Sequence, residues 1–115
     1  MFLALALCAS ALELDVPRAL AQLSADAVDA RAEAERWLAV HLKASDFDLA
    51  AETAKSSGLE ARTRLTRALG SDERHFELAV LLFVDAEPEL SRIGADAMFA
   101  LAERWFGGGR EFAIL

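Results

Sequence analysis

The two histidines and the single cysteine are the residues of this chain best suited to acid–base, nucleophilic or metal chemistry. His75 has Glu73 and Glu77 within two residues, a trio that offers ligands to a metal ion. A metal site needs three or four converging ligands, however, and their position on one predicted helix does not supply that convergence. His41 is distant in sequence from both His75 and Cys8, so no nucleophile–base pair is visible. We therefore expect no catalytic residue, no cofactor and no metal, and we expect His41 to be half-buried by packing.

Acidic residues are too numerous for their spacing to identify a catalytic pair. Asp and Glu number 19 against 12 Lys and Arg, which gives a formal net charge of −7. With so many carboxylates, pairs four residues apart arise by chance and mostly belong to a solvated helix face. Gly107–Gly109 lacks the Lys and Ser or Thr of a phosphate-binding loop. The acidic balance also argues against nucleic-acid binding, which needs clustered Lys and Arg. We expect a protein that is not an enzyme and does not bind nucleic acid.

The first eleven residues, MFLALALCASA, are apolar and uncharged and end in the small-residue pattern of a signal-peptidase site. We predict that residues 1–11 are a signal peptide, which would make the protein periplasmic or secreted. The alternative is that they form a first buried helix of a cytoplasmic protein. The run is too short to cross a bilayer, which takes about 20 residues, so no transmembrane segment is expected.

Helix-favouring composition and turn signals divide residues 12–106 into six short helices. Pro17 lies in the first turn of the first helix, and Pro88 begins the last one. Serines are predicted to cap the third, fourth and fifth helices: Ser45, Ser57 and Ser71. The apolar run from Leu78 to Val84 predicts that the fifth helix is buried on most of its surface. Because the connections are short, neighbouring helices form three antiparallel hairpins, followed by a Gly-rich end and tail over residues 107–115.

Three arginines, Arg31, Arg62 and Arg92, recur at an almost even spacing of about thirty residues, each near the start of the second helix of a hairpin. Each is followed by apolar residues three and seven positions later. Apolar residues at steps of three and four also predict one stripe on the second helix and one on the sixth: Ala27, Ala30, Ala34, Leu38 and Leu42, and Leu90, Ile93, Ala97, Leu101 and Trp105. A period of this length indicates stacked helical repeats, which usually bind other molecules. The recurrence of AERW at residues 34–37 and 102–105 suggests instead a tetratricopeptide period, but the Gly and Tyr positions of that motif have no counterpart. A plain helical bundle is a third interpretation.

The segment Asp26–Ala34, DAVDARAEA, followed by Leu38, resembles HEAT repeats of the short, about thirty-residue kind found in phycobilisome-lyase-like proteins. In that family the second helix follows an Asp-containing turn and carries an Arg followed by Ala and Leu. The resemblance covers Val16 to Phe106 and implies an all-α fold of three antiparallel hairpins in a short right-handed solenoid. Two departures are the missing Asp in the second repeat's turn and Gly94 within the last helix, where glycine costs about 1 kcal/mol relative to alanine.

The resemblance also implies a structural role for the three arginines. In such stacks the arginine bonds to carboxylates or carbonyls of the turns in its own and neighbouring repeats. We call this predicted set the arginine ladder, and it consists of Arg31, Arg62 and Arg92 with acceptors at Asp26, Asp29, Asp85 and Glu87.

The predicted function is a non-enzymatic protein-interaction scaffold whose partner is another protein. By the resemblance, binding would use the inner surface formed by the second, fourth and sixth helices, with Glu35, Arg64 and Arg67 as candidates. Trp105 and Phe106 are further candidates, because the last helix lacks the polar outer face of an end repeat. That end indicates a docked partner or a fragment of a longer array. The alternative function is an accessory lyase or chaperone that holds a tetrapyrrole or another apolar ligand, for which only the two histidines could serve. Most aromatic residues are expected to fill the core.

Overall fold

The computed structural model describes residues 14–105. The predicted signal peptide, Cys8, Phe106 and the residues from Gly107 onward lie outside this range. Within it the chain is all-helical, as the sequence predicted, and contains no strand. The six α-helices are α1 (Val16–Gln22), α2 (Val28–His41), α3 (Phe47–Ser56), α4 (Leu59–Leu69), α5 (Phe76–Phe83) and α6 (Pro88–Trp105). None of these six is both long and apolar enough to cross a membrane.

Both prolines begin helices as predicted, because a residue without an N–H loses no hydrogen bond in the first turn. Pro88 is the first residue of α6, and Pro17 is the second of α1. The carboxylate of Asp15 caps α1 by accepting a hydrogen bond from the Arg18 N–H at 2.8 Å. Sequence signals therefore located these two helix starts closely.

The predicted serine caps are wrong, because aspartate or glycine takes their place. The 3₁₀ turn Glu73–His75 precedes α5, and Asp72 caps it by accepting from the Arg74 N–H at 2.9 Å. Ser71 instead donates its hydroxyl hydrogen to the Ala68 carbonyl at the end of α4. Gly58, not Ser57, is the residue before α4. Before α3, a 3₁₀ turn contains Ser45, whose hydroxyl caps nothing.

The helices pack in two rows. The even-numbered helices lie side by side in the order α2, α4, α6, and the odd-numbered helices in the order α1, α3, α5. Helix α1 packs on α2, and α5 packs most extensively on α6, whereas α3 contacts α1, α5 and α6 more than its chain neighbour α4. The core therefore lies between the two rows.

Leucine and alanine, rather than aromatic residues, fill this core. The predicted stripes of α2 and α6 are confirmed at Ala34, Leu38, Leu90 and Ala97, which are fully or almost fully buried. No Phe or Trp side chain of residues 14–105 is fully buried, and only Trp37 and Phe47 pack partly buried against the core, so the expectation that most aromatic residues fill the core is wrong.

Helix α5 is buried on one side only, in contrast to the prediction from its apolar run. Leu78, Ala79 and Leu82 are buried, but Phe83 and Val84 are 44% and 68% exposed. The unbroken apolar run does not show which side of α5 is buried, because successive residues point to all sides of a helix and the run does not show which of these sides other helices cover. The exposed side is a feature of the tertiary structure.

Gly94 is the point of closest approach between α5 and α6. A Cβ atom built on it would contact the backbone nitrogen of Phe83 and the carbonyl oxygen of Ala79, and would lie 2.8 Å from the Phe83 Cα. The sequence identified this glycine only as a weakness in a helix. In the structure it is the residue that allows the two helices of the last hairpin to pack at this distance.

Candidate functional site

Arg31, near the start of α2, contacts both its own turn and the next even-numbered helix. Its Nη1 donates to the carbonyl oxygens of Ala25 at 2.7 Å and Asp26 at 3.1 Å, in the turn between α1 and α2. Its Nε lies 3.9 Å from Oε2 of Glu60, the second residue of α4. Asp26 thus contributes its backbone carbonyl, and the exposed Asp29 carboxylate forms no ion pair with Arg31.

Arg62 repeats this relation between α4 and α6. Its Nη1 lies 3.0 Å from Oε2 of Glu89, the second residue of α6. In both cases the fourth residue of one even-numbered helix contacts the acidic second residue of the next. A carboxylate in the first turn is also favoured there by the helix dipole. The structure therefore links α2 to α4 and α4 to α6 through glutamates that the sequence did not single out.

The third predicted member of the ladder forms no such link. Arg92 is the fifth residue of α6, so it lies about 100° around the helix from the position that Arg31 and Arg62 occupy. Ser91 is at that position, and its hydroxyl donates to the Phe83 carbonyl oxygen at 2.8 Å. Arg92 is exposed and has no ion pair with residues 14–105, and Asp85 accepts instead from the Glu87 N–H. A shift of one residue hardly changes the spacing of the three arginines along the sequence, but it places Arg92 on a different face of its helix.

The predicted binding residues Glu35, Arg64 and Arg67 are brought together, and they bond to one another. Oε1 of Glu35 accepts from Arg64 Nη1 at 2.9 Å and from Arg67 Nη2 at 3.2 Å. Arg64 also donates through Nε to Glu60 at 2.7 Å. Burial lowers the pKa of the Arg64 guanidinium, but its hydrogen bonds to the two glutamates outweigh this, so the pKa is raised. This cluster joins α2 to α4 and leaves chiefly Arg67 accessible.

An open groove lies between α4 and α6, on the surface of the even-numbered helices. Its volume is about 570 Å³, within the range of ligand and peptide sites. Apolar side chains line one part of it: Leu59, Pro88 and Ile93. Arginines, threonines and carboxylates line the rest: Arg62, Thr63, Thr66, Glu89, Arg92 and Asp96. Leu59 is 77% exposed, the most exposed large apolar residue of the described chain. The first residue of α4 thus offers an apolar contact beside charged groups.

Trp105, predicted at an exposed end, is half-exposed and lies at the edge of the last hairpin. Its indole Nε1 donates to Oε2 of Glu73 at 2.9 Å, and its ring lies 5.6 Å from that of Phe76. Phe106, its predicted companion, is outside the described residues. Six of the ten exposed large apolar residues between positions 14 and 105 belong to this hairpin: Phe76, Leu81, Phe83, Val84, Phe99 and Trp105.

The two histidines lie in different surroundings and do not converge. His41 is exposed, not half-buried as expected, and stacks on Trp37 with ring centroids 4.0 Å apart. It lines a cleft of about 300 Å³ with Arg74 and Glu77. His75 is completely buried, and its Nε2 donates to the carbonyl oxygen of Ala39 at 2.6 Å. Over the described stretch, no three His, Cys, Asp or Glu side chains group as metal ligands would.

The cap of the turn before α5 makes stability depend on acid pH. Hydrogen bonds from the Arg74 side chain and backbone N–H lower the pKa of Asp72 below its ordinary 3.8. Because this pKa is depressed by folding, the ionised cap stabilises the fold above pH 3.8 and its contribution is lost as the pH falls through the folded-state pKa. We expect Arg74→Ala to raise the pKa of Asp72, which an NMR titration measures. We also expect Asp72→Asn to reduce the fall of the unfolding midpoint as the pH is lowered. Identical profiles for wild type and Asp72→Asn would contradict this cap.

The helix packing and the surface contacts define an all-helical protein. A row of three of its helices carries linked charges and an open groove. Comparison with models of protein families, with curated proteins and with solved structures finds no match to this chain.

Proposed function

We propose that this chain is a HEAT-like helical repeat module, a short right-handed solenoid of three hairpins, that binds a partner protein and catalyses no reaction. The proposal is supported by the side-by-side order of α2, α4 and α6 and by the recurring contact from an arginine of one to the first turn of the next. Repeat stacks of this kind present an extended surface for binding.

The observation that carries the proposal is the groove between α4 and α6. The groove combines an exposed apolar residue, Leu59, with apolar walls at Pro88 and Ile93 and a charged rim. Protein-binding sites typically have this arrangement, in which an apolar anchor residue is surrounded by polar groups that fix orientation. Helix positions on a packed scaffold also hold such a site with little cost of ordering.

The chemistry of the groove favours an extended partner segment with an apolar side chain next to a basic one. Leu59 and Pro88 would contact the apolar side chain, and the almost fully buried Ile93 lies at the base of the groove. Glu89 is paired with Arg62, whereas the exposed Asp96 has no ion pair within residues 14–105 and so offers its carboxylate to a basic group of the partner. We propose that this is how a partner is oriented on the surface.

Replacing Leu59 with aspartate is expected to weaken partner binding by about tenfold or more, as loss of a central apolar contact does. The full chain would be used to isolate partners from native extract, and the affinity of each purified partner would be measured by calorimetry. Leu59 begins α4 and is largely exposed, so an acidic residue there is compatible with the helix dipole and the fold.

Leu49→Asp is the matched control, because Leu49 is an exposed leucine of α3 that does not line the groove. We expect this variant to bind as the wild type does. Equal affinities of the Leu59→Asp variant and the wild type would rule out the groove as the binding site.

A further inference from the structure

The last hairpin has an apolar side that no described helix covers. Phe83 packs beside Gly94 and Phe76 beside Trp105, so α5 and α6 run antiparallel. On α6, Ala95, Phe99 and Ala102 are three or four residues apart and therefore share one side of the helix. We call the apolar side of this hairpin the terminal face, and we assign to it Phe76 and Phe83 on α5, Val84 directly after α5, and Ala95, Phe99 and Ala102 on α6. Phe99 and Val84 are 67% and 68% exposed. Patches of this kind on folded proteins usually mark an interface.

Two opposite charges flank Phe99 along α6. Arg92 and Glu103 are eleven residues apart, which is about three turns, so both lie on the same side of the helix as Phe99. Both are exposed, and neither has an ion-pair partner among the residues that the structure describes. The midpoint between them falls within two residues of Phe99.

We propose that the terminal face binds a second copy of this chain about a twofold axis that passes close to Phe99. In this dimer α6 runs antiparallel to α6 of the second copy, because a twofold axis reverses the helix direction. Arg92 then lies opposite Glu103 of the second copy, and the reverse pair forms at the same time. The terminal face of each copy then covers that of the other, and each Arg92 lies next to a Glu103 of the other copy.

Charge complementarity favours a second terminal face over the other end of the molecule as the occupant. The outer side of α2 carries the exposed residues Asp29, Glu33 and Arg36. Packing the terminal face against that side would remove these charges from water without ion partners, which is costly. The six residues of the terminal face carry no charge, and Asp96 lies about 60° round α6 from Phe99, on the side of the groove. The flanking charges Arg92 and Glu103 complement their own copies only when the second α6 runs antiparallel.

Sedimentation equilibrium of the full chain over a wide range of concentration tests this interface. We expect a monomer–dimer equilibrium for the wild type and loss of the dimer for Phe99→Asp. Arg92→Glu and Glu103→Arg, each alone, should weaken the dimer by about tenfold, because each puts two pairs of like charges in contact. An equimolar mixture of these two variants should form a heterodimer of wild-type affinity, since both charge contacts across the interface then join opposite charges.

Recovery on mixing also shows that both charge variants are folded, so a weak dimer of either alone cannot be ascribed to unfolding. Leu59→Asp is the control, because it changes the groove and leaves the terminal face intact; it should not alter the dimer. The Leu59→Asp variant therefore distinguishes the two proposals, because it should impair binding of the partner protein and leave the dimer unchanged. A wild-type chain that stays monomeric at every concentration, or a mixture without recovery, would overturn the proposal.

Discussion

Replacing Gly94 with alanine is expected to lower the free energy of unfolding by about 3 kcal/mol, although alanine is the better helix former. The added methyl group would overlap backbone atoms of Phe83 and Ala79 on α5. Backbone atoms of a packed helix cannot rotate away as a side chain can, so α5 and α6 must separate along their length. Their separation would open the most extensive contact between helices in residues 14–105. Chemical denaturation monitored by circular dichroism measures the loss.

Two other glycines supply the matched comparison. A Cβ at Gly58 would have no atom within 4 Å, so Gly58→Ala should stay within about 1 kcal/mol of the wild type. A Cβ at Gly70 would lie 2.8 Å from the Cβ of Ala100, which is a side-chain contact. We expect Gly70→Ala to cost about 1 to 2 kcal/mol and to be partly rescued by Ala100→Gly. Equal stabilities of the three alanine variants would contradict the close approach of α5 and α6.

Replacing His75 with alanine is the second large expected effect, a loss of about 3 kcal/mol. His75 is completely buried, and its Nε2 donates to the Ala39 carbonyl in the last turn of α2. That carbonyl has no helical partner, because the Lys43 N–H donates to Asp46 instead. Alanine would leave both a cavity and an unsatisfied carbonyl group.

The hydrogen bond and the packing of His75 can be measured separately. His75→Gln keeps an N–H donor in place of the ring nitrogen, so it should lose about half as much stability as His75→Ala. His41→Ala is the control, because His41 is exposed and both stacks on Trp37 and hydrogen-bonds to the Trp37 carbonyl at the surface; it should cost less than about 1 kcal/mol. If glutamine proves no better than alanine, the bond to Ala39 contributes little and packing accounts for the whole loss.

The two proposed binding surfaces do not exclude each other. The groove lies between α4 and α6, and the terminal face lies on the outer side of α5 and α6. A dimer formed through the terminal face would carry two grooves. Such a particle would bind a partner with two recognition segments more tightly than a single groove does, because the second contact forms at a high effective concentration. The variant Phe99→Asp would remove this gain while leaving each groove intact.

Local sequence patterns predicted the positions of the helices well, but they predicted poorly which residues form the contacts between helices. The spacing of apolar residues identified the buried stripe of α6 at Leu90, Ile93 and Ala97, because three- and four-residue steps repeat on one side of any helix. The prolines located two helix starts for an equally local reason. Serines were poor guides to the other starts, since Asp72 and Gly58 compete for the same role.

The charged contacts show where the sequence ceased to be informative. Arg64 and Glu60 are four residues apart on one helix, so their pairing could be anticipated. Glu35 and Arg64 are 29 residues apart, and their contact exists only because α2 and α4 lie side by side. Likewise the even spacing of three arginines concealed that Arg92 is one residue out of phase, which places it on another side of its helix.

An all-helical chain with short turns and with leucine and alanine stripes could be read from the residues alone, because these features depend on positions close together along the chain. Which apolar residues are covered could not be read in this way. Leu82 and Phe83 are neighbours in one apolar run, yet the first is buried and the second is 44% exposed. Burial depends on what packs against each side of a helix, and that is fixed by contacts between distant segments. For the same reason Gly94, which the sequence shows as a weak point of a helix, is the residue on which the close packing of α5 and α6 depends.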